Sequence, residues 1–105
     1  MIYAVDPFRS GSGRPYVVLS SEAHPFADEE CLAALVTTTP HPGAISLGGE
    51  FETGALPRKS YASPWNLVTL KLDTDVFREV GSLDPALTQR IADEAARHLG
   101  ANVEE

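Results

Sequence analysis

An arginine stands where a glycine-rich turn runs into an apolar segment. Gly11-Ser12-Gly13 leads into Arg14-Pro15, and those into Tyr16-Val17-Val18-Leu19-Ser20. Pro15 lacks an N–H and disfavours helix at the residue before it, so Arg14 and Pro15 read as the opening of a strand. A guanidinium held at the mouth of a strand beside a loop is well placed to meet an anion. Its planar fork pairs two phosphate oxygens at once, and its charge persists at any relevant pH. The alternative is a surface ion pair with Asp6 or a loop carboxylate. Thr37 and Thr38 close the next apolar segment. The Thr37 hydroxyl could donate to the same phosphate or orient an attacking group; equally, both threonines could serve β-propensity alone.

His24 and His41 are the histidines outside the C-terminal region, and imidazole is the natural proton carrier near neutrality. His24 follows the arginine strand and is the stronger candidate; His41 lies between two prolines in a turn. Neither has further ligands at a metal-binding spacing, so no metal or other cofactor is expected. Trp65 could stack on a splayed base while Asn66 reads its edge. A lone tryptophan beside a strand is otherwise core or dimer interface. Cys31 opens an apolar run and reads as inert packing.

These groups need a frame, and the totals bound it. The 105 residues make one domain, large enough to fold without a disulfide or metal staple. There is no apolar run of membrane-spanning length and no basic-then-apolar leader, and the single cysteine cannot form an internal disulfide. Together these point to the cytoplasm, with no membrane partner. The net charge of −7 argues against a broadly nucleic-acid-binding surface, because such affinity is mostly phosphate neutralisation. Either the partner is not a nucleic acid, or the acidity is a solvating coat around a local basic spot.

Short strands separated by Gly/Pro turns are expected at Ile2–Val5, Tyr16–Ser20, Cys31–Thr38, Ala44–Leu47, Ser60–Ala62 and Trp65–Leu70. The run Cys31–Thr38 is continuously apolar and reads as a central strand buried on both faces. Pro64 is expected to break the chain before Trp65, and Phe77 and Val80 to lie in a connecting piece. The last element is a helix over about 85–99. Asp84 caps it, Pro85 opens it, and Leu87, Ile91, Ala95 and Leu99 form an apolar stripe. Gly100 stops it, and 101–105 is a frayed tail. The element order suits a mainly β fold with a C-terminal helix: an SH3-like small antiparallel barrel with the helix packed against it.

With that order in place, the chain resembles the MazF/PemK family of toxins from type II toxin–antitoxin pairs. Arg14-Pro15-Tyr16-Val17-Val18-Leu19-Ser20 after a glycine-rich loop is similar to the family's second-strand motif, and Ala34-Leu35-Val36-Thr37-Thr38 to its third strand. Gly54-Ala55-Leu56 with Ser60, and Val80-Gly81-Ser82-Leu83 before the helix, resemble later passages. Asn66-Leu67-Val68-Thr69 stands where many members read glutamine-isoleucine-arginine-threonine. Ser63 and Trp65 stand near where one subgroup carries a catalytic arginine and aspartate. The resemblance implies a MazF/CcdB-like barrel and metal-independent cleavage of single-stranded RNA, in which the 2′-hydroxyl attacks the adjacent phosphorus and leaves a cyclic phosphate. It favours Arg14 and Thr37 as catalytic residues; the residues themselves add His24 as a catalytic candidate and Arg9, Thr38, Trp65 and Asn66 as candidate RNA contacts. A homodimer, an antitoxin peptide and growth inhibition are implied with it. The other readings are a non-catalytic SH3-like barrel module that binds RNA or a protein, and a topoisomerase poison of the same barrel type.

Overall fold

The strand built from the continuous apolar run, β3 (Glu30–Thr37), lies at the middle of the sheet. The computed structural model describes residues 1–6, 11–21, 23–48, 51–53 and 58–99. In chain order the remaining strands are β1 (Ile2–Val5), β2 (Gly13–Val18), β4 (Ile45–Ser46), β5 (Phe51–Thr53), β6 (Tyr61–Lys71), β7 (Val76–Glu79) and β8 (Ser82–Leu83). The helix α1 (Pro85–His98) follows. One antiparallel sheet runs in the order β4-β6-β3-β2-β1-β7, and β5 pairs with β8 in a separate ribbon. The expected fold class, mainly β with one C-terminal helix, is what the chain adopts. Arg9, the passage 54–56, Gly100 and the tail 101–105 lie outside the described residues.

Alternation along β3 explains why both of its faces are apolar. Ala34 and Val36 point to a core shared with Val17, Ile45, Leu47, Ala62, Leu83 and the helix residues Leu87 and Ile91. Cys31, Ala33 and Leu35 point the other way, to a second core with Ala4, Tyr16 and Leu70. Those residues come from strands alone, and the topology says how they cover themselves. β6 and β7 are joined only by residues 72–75, and the Asp75 N–H donates to the Lys71 carbonyl at 2.9 Å. Yet the two strands are second and last in the sheet order. In a flat sheet they would stand roughly 19 Å apart, at about 4.8 Å per strand. The sheet therefore curls back on itself around the second core.

Two expectations about strands are corrected. Pro64 does not end a strand: it sits inside β6, a single strand of 11 residues. The pairing jumps there, from Leu35 opposite Ser63 to Ala34 opposite Leu67, so Pro64, Trp65 and Asn66 bulge out of the β3 ladder. A bulge is where a residue without an N–H costs no ladder bond. The segment containing Phe77 is likewise a strand, β7, pairing with β1 at the sheet's edge. The second strand opens with Arg14 and Pro15 as expected, Gly13 just before them, and ends at Val18.

The helix follows its signals. Asp84 Oδ1 accepts from the Ala86 N–H at 3.1 Å, Pro85 opens the first turn, and Leu87, Ile91 and Ala95 are buried. Leu99 is not: it is 74% exposed. Steps of four residues drift by about 40° each around a helix of 3.6 residues per turn, which carries the fourth position of the stripe off the packed face.

Candidate active site

Arg14 and Thr37 are brought together by the register of β2 against β3. Tyr16 lies opposite Leu35 and Val17 opposite Ala34. Near the far end of the hairpin the Leu19 N–H donates to the Leu32 carbonyl at 2.8 Å. Hydrogen-bonded pairs recur every second residue, so Val17–Ala34 and, by continuation, Pro15–Val36 are the bonding positions. Pro15 has no N–H to give. The Val36 carbonyl accepts instead from Arg14 Nη2 at 2.8 Å. The proline thus leaves vacant an acceptor that fixes the guanidinium. Continuing the same register sets Arg14 opposite Thr37 in a non-bonded pair, the type whose Cα atoms approach to about 4.5 Å with side chains on one face.

The two line one open cavity of about 530 Å³ with Leu35, His41, Pro42, Ser63, Trp65 and Asn66. That volume suits a small ligand or a short stretch of a polymer. Arg14 Nε is buried and has no acceptor among the described residues, an unmet donor on a cationic group at the cavity wall. Thr37 Oγ1 accepts from the Thr39 N–H at 3.1 Å, which turns the chain out of β3 and leaves the O–H to donate elsewhere. Behind Arg14, Tyr16 donates its hydroxyl to the Val5 carbonyl at 2.6 Å. Burial pushes its pKa up to about 12, only partly offset by the Arg14 charge, so the phenol stays protonated.

The β6 bulge supplies Trp65 and Asn66. Trp65 is 39% exposed and packs against two imidazoles, His41 at 6.4 Å between ring centroids and His98 of α1 at 5.7 Å, both edge-to-face. The turn carrying His41 depends on Gly43, which lies beside the indole ring and whose φ of +87° is one that L side chains rarely adopt.

Of the residues expected at the site, the structure gathers Arg14, Thr37, Trp65 and Asn66. Thr38 is exposed just beyond Thr37 and does not line the cavity. His24 is not brought there. It lies in the turn that joins β2 to β3 at the hairpin's other end, where its Nδ1 accepts from the Phe26 N–H at 3.0 Å. The length of β3, at about 3.3 Å per residue, puts it roughly 20 Å from Thr37. His41 lines the cavity instead, as does Ser63. The signal for His41 was proximity in sequence: it follows Thr37 by one tight turn braced by prolines. Among the described residues no three His, Cys, Asp or Glu side chains gather as a metal site, and no helix is long and apolar enough to cross a membrane.

Solved structures share this fold. An endoribonuclease in complex with its cognate antitoxin, from a mycobacterial species, superposes with a TM-score of 0.76 at 22% identity, over 98% of this chain and 94% of that one. The Mycobacterium tuberculosis toxin MazF-mt6 superposes with a TM-score of 0.72 at 18% identity, over 98% of this chain and 100% of that one. No protein-family model matches the sequence, and no curated protein does. The fold is that of the MazF-like toxins.

Proposed function

We propose that this protein is a metal-independent endoribonuclease of the MazF/PemK toxin type, cutting single-stranded RNA by attack of a 2′-hydroxyl on the adjacent phosphorus. The observation that carries this reading is the pairing of Arg14 and Thr37 at one cavity, within a fold shared with an antitoxin-bound endoribonuclease and a MazF toxin. The reaction builds negative charge on the non-bridging phosphate oxygens. Arg14, tethered through Nη2 and with Nε unmet, offers fixed donors to that charge, and the Thr37 hydroxyl offers another. Trp65 and Asn66 would hold a base beside the scissile phosphate. The chain works in the cytoplasm as a homodimer, restrained by an antitoxin peptide as the mycobacterial neighbour is bound to its own, and it inhibits growth when released.

The test is incubation of the purified protein with mixed-sequence RNA in EDTA. Cyclic-phosphate ends are expected, and Arg14→Ala should lower the cleavage rate by about 10²-fold or more while the far-UV spectrum stays unchanged. Saturable binding with intact RNA would favour a non-catalytic module, the reading to which the net charge of −7 lends weight.

A further inference from the structure

We infer that His41 is the group that takes the proton from the attacking 2′-hydroxyl. This rests on the RNA-cleaving reading above and adds the base that reading lacks. In-line attack needs a proton acceptor at the phosphate, and the cavity wall offers few. Arg14 keeps its proton, and Thr37, Ser63, Asn66 and Trp65 do not titrate near neutrality. Tyr16 is held protonated by burial. No carboxylate lines the cavity among the described residues. His41 brings the one imidazole among the lining residues, and imidazole is the usual general base of side-chain chemistry.

Its placement is built rather than incidental. The His41 N–H donates to the Thr39 carbonyl at 2.9 Å, and its own carbonyl accepts from the Ala44 N–H at 3.0 Å. Prolines on both sides restrict the backbone, and the ring packs edge-to-face against Trp65. Among the described residues, Arg14 from β2 lines the same cavity, and His98 from α1 packs against the indole that His41 touches.

In the step, a neutral ring nitrogen of His41 accepts the 2′-hydroxyl proton as the bond from O2′ to phosphorus forms. The bond from phosphorus to O5′ breaks, and O5′ takes a proton from solvent water to leave as a 5′-hydroxyl. The imidazolium then returns its proton to solvent. Atoms, protons and electrons balance with no further reactant.

The experiment is single-turnover cleavage, across pH 5 to 9, of a deoxyoligonucleotide carrying one ribonucleotide at the wild-type cleavage site. His41→Ala and His41→Gln should each slow cleavage by about 10²- to 10⁴-fold. Affinity for the all-deoxy oligonucleotide should stay within about threefold, and added imidazole should partly restore His41→Ala. The wild-type rate should fall as pH drops and the base becomes protonated; that acid limb should vanish in His41→Gln. Cleavage by either variant within about threefold of wild type would overturn the assignment. So would an acid limb that persists in His41→Gln, or a loss of affinity as large as the loss of rate, which would make His41 a binding residue. A wild-type protein that leaves all RNA intact overturns the nuclease reading itself, a result distinct from an active wild type with active variants.

Discussion

The two ends of the β2–β3 hairpin are built from the same pair of strands and carry opposite chemistry. At one end Arg14, Thr37 and His41 face a cavity without a carboxylate among the described residues. At the other, the turn through His24 leads to Asp28, Glu29 and Glu30, which stand beside Asp73 around a single cation, Lys71. Lys71 Nζ meets Glu30 Oε2 at 2.8 Å, and that hydrogen bond raises the lysine's pKa. Net charge is therefore a poor guide to one site, because four of the fifteen carboxylates cluster at the opposite end. A protein of net charge −7 can present a local cation to a phosphate when no carboxylate lines the site itself.

That contrast can be broken or sharpened by substitution. Beyond the loss expected of Arg14→Ala, Thr37→Val removes the neighbouring donor while keeping a β-branched shape, and should slow RNA cleavage about tenfold or more with little change in melting temperature. Pro15→Ala restores an N–H that competes with Arg14 for the Val36 carbonyl. It should lower the single-turnover rate by up to about tenfold through a looser guanidinium, with RNA affinity nearly unchanged. At the other end, His24→Ala should alter the cleavage rate by less than about twofold, since that ring lies too far to exchange a proton at the site. A large effect of His24→Ala, measured beside Thr37→Val in the same assay, would erase the distinction between the ends.

Local signals in the chain were readable, and those set by partners were not. Arg14 at a strand mouth, the doubly buried β3 and the capped helix from Asp84 each rest on neighbouring residues, and each stands as expected. Pro64 reads as a strand breaker because its missing N–H is costly in a regular ladder; the bulge that removes the cost exists only in the register with β3. β7 is four residues long and exposed along most of them, and β1 defines it rather than its own pattern. The choice between His24 and His41 turned on which end of a hairpin each occupies. Both follow a strand by a few residues, but only one follows the strand end that holds Thr37.

The bulge at Pro64, Trp65 and Asn66 has a consequence for how such a molecule diversifies. Pro64 is fully buried, but Trp65 and Asn66 beside it are held outside the β3 ladder with their side chains toward the cavity, so those two can be exchanged at smaller cost to folding while Arg14 and Thr37 stay in place. Under the proposed function, a new target sequence is then a matter of rewriting two positions, and the scaffold beneath them carries over.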